Sequence, residues 1–254
     1  MSTSLHHGDC LDVLQREDHL AADMAYLDPP FGMGRRMEGR DGVAFEDPLD
    51  TPAEYIAFMR PRVEMVLGHL QDHGVILLHC DWRHVHHLRL MLDDLLGATA
   101  FVNHLVWHYG LGGSSPRRFA RKHDDILFYA KGRDYYFEPP LVPATSQRLK
   151  GQMKKATDVL DIPTINNMAH ERTGWPTQKP LALLRMLITA CCPEGGLVLD
   201  PFCGSGTTVV AAAELNRRGV GIDASDEAIT LARSRLVRPD SQQTSGAGRA
   251  ASSA

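Results

Sequence analysis

A mostly parallel, doubly wound α/β sheet is expected of this 254-residue chain, on three observations. Apolar runs that read as strands recur at Ser4–His7, Met24–Leu27, Val75–His79, Phe101–Trp107, Ile126–Tyr129, Leu197–Leu199 and Val220–Ile222. Helical periodicity lies between several of them, the pattern of crossover connections in a parallel sheet. Secondly, two of these runs end in aspartate and proline, as Asp28-Pro29-Pro30-Phe31 and as Asp200-Pro201-Phe202-Cys203-Gly204-Ser205-Gly206. Thirdly, the latter glycine turn leads into a helix and then a strand that closes on Val220-Gly221-Ile222-Asp223. Ligands of open α/β sheets gather at the carboxyl ends of strands, so both loops are expected to face one crevice.

The helices can be taken in order. Thr51-Pro52-Ala53-Glu54 offers an N-cap hydroxyl, proline in the first turn and glutamate three residues after the cap. Ile56, Met59, Val63, Val66 and Leu67 continue that helix until Gly74. A second helix is expected from Trp82 to about Leu96, with Val85, Leu88, Met91, Leu92 and Leu95 on one face. A third follows Pro180 and ends before Pro193, a fourth follows Gly206, and a fifth runs from about Ser225 to Leu236. Gly32–Asp50 and Glu138–Gly174 lack periodicity, and long irregular stretches in compact domains are usually functional or disordered. Residues 1–236 are expected to form one domain with 138–174 as an insert. The Ser-, Gly- and Ala-rich tail at 237–254 is expected to be disordered.

Composition narrows the function classes. Forty-three per cent apolar and 23 per cent charged residues are ordinary for a globular chain. No apolar run approaches the roughly 18 residues of a membrane span, and Met1–His7 lack the basic and apolar regions of a signal peptide. The five cysteines are odd in number and form no Cys-x-x-Cys, which points to reduced thiols in a cytoplasm rather than disulfides or zinc. The net charge of −4 is unevenly spread: Arg117–Lys155 carries +6 and the remainder −10. A segregated basic face suits phosphate contacts, although a solvated surface loop reads the same way from charge alone.

At the glycine turn, Gly204 and Gly206 let a ligand approach the backbone, and the following helix start presents free N–H groups. An acid at Asp223 can accept hydrogen bonds from both hydroxyls of a ribose. A nicotinamide enzyme would use the same unit, but the third glycine is missing and no substrate domain follows. A P-loop kinase is excluded because no lysine follows the last glycine. A turn that serves packing alone is the remaining alternative.

These residues resemble the β-class DNA amino-methyltransferases, which use S-adenosyl-L-methionine. The likeness covers roughly residues 5–236. It rests on Gly8-Asp9-Cys10-Leu11, Asp28-Pro29-Pro30-Phe31, the segment Arg121–Phe128, Trp175-Pro176-Thr177-Gln178-Lys179-Pro180, Asp200–Thr208 and Gly221-Ile222-Asp223, in the β-class order. The resemblance implies a Rossmann-like sheet, circularly permuted so that the catalytic loop precedes the cofactor loop. Met24–Leu27 would then neighbour Leu197–Leu199 at the switch point. It further implies that Asp223 binds the cofactor ribose and that Asp9 and Cys10 approach its adenine. Asp200, Phe202, Gly204, Ser205, Gly206 and Thr207 would line its methionine side, Thr177 and Lys179 would hold its carboxylate, and Asp28 would border it. Phe31 replaces the commoner Tyr, Trp175 the frequent His and Asp223 the frequent Glu. The first exchange keeps a stacking face and removes one hydrogen bond.

The Asp28 loop suits amine chemistry. An exocyclic amine on a base is a poor nucleophile because its lone pair is delocalised. Two acceptors on its hydrogens draw the nitrogen toward tetrahedral geometry, and the Asp28 carboxylate with the Pro29 carbonyl supplies them. Pro29 and Pro30 stiffen the loop and Phe31 stacks on the ring. The expected function is methylation of N6 of an adenine flipped out of duplex DNA, with cytosine N4, or a nucleic-acid-binding regulator without turnover, as alternatives. Phosphate contacts are assigned to Arg117, Arg118, Arg121 and Lys122, and target recognition to 138–174. A homodimer and a restriction endonuclease partner remain open. His79, His84, His86 and His87 raise a metal site, but no carboxylate arrangement completes one and a surface helix is the preferred reading. Trp107 and Tyr109 are read as core rather than as stacking platforms.

Overall fold

The computed structural model describes residues 2–31, 35–38, 44–47, 51–110, 114–144, 146, 148, 150–166 and 169–237. Strands β1 (Thr3–His7), β2 (Ala22–Leu27), β5 (Leu70–Cys80), β6 (Phe101–His108), β7 (His123–Ala130), β10 (Val159–Asp161), β11 (Leu197–Asp200) and β12 (Arg218–Asp223) form one sheet. Its order is β1-β12-β11-β2-β5-β7-β6-β10. Every pairing is parallel except those of β7, which runs against both β5 and β6. Outside this sheet, β3 (Arg35–Glu38) pairs with β4 (Ala44–Asp47), and β8 (Leu141–Pro143) with β9 (Met153–Lys155), both antiparallel.

The sheet is covered on both faces, because alternate side chains of one strand point to opposite sides. Ala25, Leu27, Ile76 and Leu78 pack against α1 (Cys10–Arg16), α2 (Pro52–His69) and α3 (Val85–Leu96). Their neighbours Met24, Tyr26, Val75 and Leu77 pack against α4 (Leu181–Cys191) and α5 (Thr207–Glu214). Complete burial of a residue such as Leu27 or Ile76 contributes about 1.5–3 kcal/mol. The last helix, α6 (Asp226–Val237), lies against β1 and α5.

The junction that matters for the site is β11 beside β2, with Val198 opposite Met24 and Leu199 opposite Ala25. Strand order reverses across this pair, since the chain leaves β2 toward β5 and leaves β11 toward β12. The loops after Leu27 and after Asp200 therefore open onto the same edge of the sheet.

Several elements differ from their expected bounds. The helix capped by Thr51, whose capping box is formed with Glu54, ends at His69 rather than at Gly74. Strand β5 starts at Leu70 because Leu70 pairs with Ala22. Gly74 serves a register shift in that pairing, where a Cβ would lie 3.0 Å from the Ala22 carbonyl oxygen. The second helix starts at Val85, since the Asp81 carboxylate accepts from the Arg83 N–H and holds a turn ahead of it. Helix α1, capped by Asp9, is only 7 residues long and too short to show periodicity. Residues 35–38 and 44–47, expected to be irregular, form β3 and β4, and the rest of Gly32–Asp50 lies outside the described residues. Within 138–174, β10 joins the main sheet and buries Leu160, followed by Ile162 and Ile165. The expected tail lies outside the described residues from 238 onward, and Val237 closes α6.

Candidate active site

A cavity of about 330 Å³ opens where the two loops meet. Asp28, Pro29, Pro30 and Phe31 form one wall, and Asp200, Phe202, Gly204, Ser205 and Thr207 another. Asp9 and Cys10 reach it from the start of α1, Asp223 from the end of β12, and Thr177 and Lys179 from the segment before α4. Residues separated by up to about two hundred positions thus share one space.

Each carboxylate has its own set of partners. Asp223 accepts from the Gly204 N–H at 2.8 Å and the Ser225 N–H at 2.9 Å, which ties the two cofactor-type loops together. Burial raises its pKa, and those two bonds oppose the rise. Asp200 accepts from the Phe202 N–H at 3.0 Å, and burial pushes its carboxyl up to about 7 despite that bond and one from Thr208. The nearby carboxylates of Asp28 and Asp223 push the same way. The part of that shift that comes from Asp28 and Asp223 is a negative field, which a cationic group would offset.

Asp28 stands differently. One carboxylate oxygen, Oδ2, is paired with the Lys179 ammonium. The other, Oδ1, is buried and has no hydrogen-bond partner among the described residues. A buried acceptor left unpaired costs about 1–3 kcal/mol, so such an atom usually awaits a donor. Lys179, expected at a ligand carboxylate, uses one of its three donors on Asp28 and makes no other hydrogen bond among the described residues.

The walls contain residues that the sequence reading passed over. Arg62 and Phe58, one turn apart on α2, face the cavity. The Arg62 guanidinium lies 3.7 Å from the Phe58 ring centroid and 2.5 Å from the Asp9 carboxylate. Phe58 approaches Phe202 at 6.4 Å between ring centres, giving an aromatic pair on which a flat ring can lie. Their i, i+4 spacing was visible, but Ile56, Met59 and Val63 dominate the apolar stripe. Trp175 packs its indole against Gly204, where a Cβ would meet Nε1 at 3.1 Å. Gln178 accepts from the Thr173 N–H at 2.8 Å and donates to the Glu171 carbonyl, fixing the loop that presents Thr177 and Lys179.

Gly206 departs from its expected place. It does not line the cavity but caps α5 in a left-handed conformation, φ +80°. An added Cβ there would lie 2.6 Å from the Ala232 Cβ on α6. Gly206→Ala is expected to destabilise the protein by about 3 kcal/mol, or roughly 5–10 °C in Tm, from overpacking plus the left-handed penalty. A thermal melt with an unchanged midpoint would refute this account of the turn.

The histidines resolve into separate roles. His79 lies in β5, fully buried, bonded to the Tyr26 hydroxyl at 2.7 Å and the Asp124 carboxylate at 3.3 Å. Burial alone would raise Asp124, but the bond and charge of His79, with Lys179 and Tyr109, lower it. His84 is buried and stacked on Tyr55 at 4.2 Å, not on a surface helix as expected, whereas His86 is exposed. Trp107 is core, its indole N–H bonded to the Ile162 carbonyl at 2.7 Å. Arg117, Arg118 and Arg121 are exposed and Lys122 half-buried, all on the β6–β7 connection and outside the cavity. All five cysteines are buried free thiols, and burial raises Cys10 to about 12. Among the described residues no helix is long and apolar enough to cross a membrane.

The donor set fits S-adenosylmethionine: a buried carboxylate at Asp200, a half-buried one at Asp223, a glycine turn and an aromatic pair. Comparison with known proteins gives the same answer. The DNA methylase family model of the N6/N4 type matches residues 22–234. The type II methyltransferase M.HpaI of Haemophilus parainfluenzae is 30% identical over 241 residues, covering 93% of this chain and 74% of its own length. M.ScaI of Streptomyces caespitosus is 28% identical over 253 residues, covering 91% and 80%. Among solved structures, the M1.HpyAVI–SAM complex superposes with TM-score 0.68 at 21% identity, over 92% of this chain and 99% of that one. The PvuII cytosine-N4-specific DNA methyltransferase gives 0.69 at 15% identity, over 94% and 88%. The chain with the paired Asp28 and Gly204 loops belongs to the N6/N4 DNA methylase family and is an S-adenosylmethionine-dependent DNA amino-methyltransferase.

Proposed function

We propose that this protein methylates the exocyclic N6 of an adenine flipped out of duplex DNA. The observation that carries the reading is Asp28 on the wall of the cavity that also holds the glycine turn, its buried Oδ1 having no hydrogen-bond partner among the described residues. When bound, S-adenosylmethionine supplies a methyl group activated on a sulfonium. Asp223 would hold its ribose, and Asp200 with the Gly204 turn its methionine portion. Thr177 and the spare donors of Lys179 would meet its carboxylate, and Asp9, Cys10, Phe58 and Phe202 its adenine.

Asp28 Oδ1 accepts one amino hydrogen of the target base and the Pro29 carbonyl the other, which frees the nitrogen lone pair. The proton shed by the nitrogen passes to the Asp28 carboxylate. Lys179 keeps Oδ2 fixed and balances its charge, while Phe31 packs on the base. No duplex base can enter so enclosed a loop, so the target must leave the stack at a cost of a few kcal/mol.

Adenine is preferred because aspartate rather than serine heads the Asp28 tetrapeptide. The fold is shared with a cytosine-N4 enzyme and does not separate the two bases. Residues 138–174, with the basic β8–β9 hairpin, serve as the target-recognition segment of a domain spanning 1–236. The names of the type II relatives support a place in a restriction-modification pair. The test is to incubate duplex DNA with protein and S-adenosylmethionine, digest it, and identify methylated nucleosides by mass spectrometry. N6-methyldeoxyadenosine is expected. N4-methyldeoxycytidine would overturn the base assignment, and no methylated nucleoside would overturn the reaction itself.

A further inference from the structure

Phe119 is 98% exposed, more than any other large hydrophobic side chain among the described residues. A lone exposed apolar residue is ordinary on a protein surface. This one is set apart by its company and its position. It sits within Arg117-Arg118-Phe119-Ala120-Arg121-Lys122, a run with four cations and no acid. Arg117, Arg118 and Arg121 are themselves exposed.

The root of this segment is anchored. The Arg121 guanidinium lies 3.5 Å from the Trp82 ring centroid, and Arg83 reaches the same ring at 5.0 Å. The Tyr109 N–H donates to the Lys122 carbonyl at 3.0 Å and closes the base of the connection. Because β7 is antiparallel to β5, with Asp125 opposite Cys80, the segment emerges at the carboxyl end of β5. That is the edge from which Asp28 follows β2. Asp124 bonds His79, and the Phe31 ring packs on His79 at 5.8 Å. The chain from Phe119 to Asp124 spans at most about 17 Å, so the phenyl group stands within one short loop of the base pocket.

We propose that Phe119 is a wedge that enters the base stack of duplex DNA and fills the gap left by the extruded target, while the flanking arginines meet the phosphates. The proposal rests on the DNA methylation reading above. Extrusion unstacks two faces at once, and apolar side chains are suited to replace the lost stacking because they shed water in doing so. The cations around Phe119 supply the attraction that brings an exposed phenyl group onto a polyanion.

The test uses the full chain on a short duplex carrying the site mapped from methylated DNA, in two forms. In one the target base is paired; in the other the opposite nucleotide lacks its base, so no pairing has to be broken. Phe119→Ala is expected to lower single-turnover methylation of the paired duplex by about 10- to 100-fold. It should return to within about threefold of wild type on the unpaired form, where little extrusion work remains. Phe119→Trp, which keeps a flat apolar side chain, should retain most activity on both. An equal loss of Phe119→Ala on both duplexes, or no loss on either, would overturn the wedge while leaving the methylation reading intact. A wild-type protein that methylates neither duplex would overturn that reading, and the wedge with it.

Discussion

Asp28→Asn is expected to slow methyl transfer in a single turnover by about 10³-fold, while S-adenosylmethionine affinity changes by no more than about threefold. The reason lies in the two oxygens of this carboxylate. Oδ2 is held by Lys179, and Oδ1 is buried with no partner among the described residues. An asparagine that keeps its oxygen toward Lys179 turns an NH₂ group toward the incoming amine. The acceptor becomes a donor, and the amine meets repulsion where it needs to give up hydrogen character. Turning the amide over sets NH₂ against the Lys179 ammonium instead, so neither orientation restores both contacts. Oriented acceptors in an enclosed site are worth about 10²–10³ in rate, and loss of the proton acceptor adds to that. Rapid-quench transfer of labelled methyl and equilibrium binding of the cofactor separate the two effects. A rate within tenfold of wild type would remove Asp28 from the chemistry.

The second large effect concerns Asp200 and pH. Burial, reinforced by Asp28 and Asp223, raises this carboxyl from the ordinary carboxylate range to about 7. Below that pH it is neutral in the free protein, and a ligand bearing ammonium and sulfonium charges binds best to the anion. Cofactor affinity should therefore strengthen by up to about tenfold per pH unit as pH rises toward 7. It should weaken again as the ligand's α-amino group loses its proton at about pH 7.7–8.0, the ordinary range for such groups. The maximum falls between those two titrations. Asp200→Asn should lower affinity on the order of 100-fold, the scale of losing one partner of a buried charge pair, and remove the acid limb.

The same shift predicts an opposite effect on stability. An acid whose folded pKa is raised is protonated more readily in the folded state than in the unfolded chain. Its contribution to stability is thus lost as pH rises from the ordinary carboxylate value toward 7. Asp200→Asn should accordingly melt higher than wild type at pH 8, with the difference shrinking toward pH 4. Isothermal titration across pH 5.5–9 and melts at pH 4 and pH 8 check the pair of expectations. A flat affinity profile in the wild type would show that Asp200 does not face the ligand's charge.

The elements that were legible in the sequence are those whose signal is local. The capping box at Thr51 and Glu54 lies within four residues and forms as expected. The apolar runs before Asp28 and Asp200 are short, bounded by proline, and become β2 and β11. The end of α2 was not legible, because Leu67–Gly74 continues a helical pattern until Leu70 finds Ala22 as its strand partner. The antiparallel course of β7 was equally hidden, since a buried strand has the same composition in either direction.

By itself the sequence determined the chemistry available at each strand end: a carboxylate and stiff carbonyl at Asp28-Pro29, glycines at 204 and 206, acids at 200 and 223. These are properties of single residues and of backbone torsions, and they travel with the chain. The pairing of Lys179 with Asp28 was decided only by tertiary structure, as were Arg62 on Asp9, Gly206 under Ala232 and the His79 link from Tyr26 to Asp124. Such contacts join residues 26 to 151 positions apart, and no local propensity encodes which distant side chain fills a given space. Their partners are settled when the sheet brings β2, β5, β7 and β11 side by side and water leaves the gaps between them.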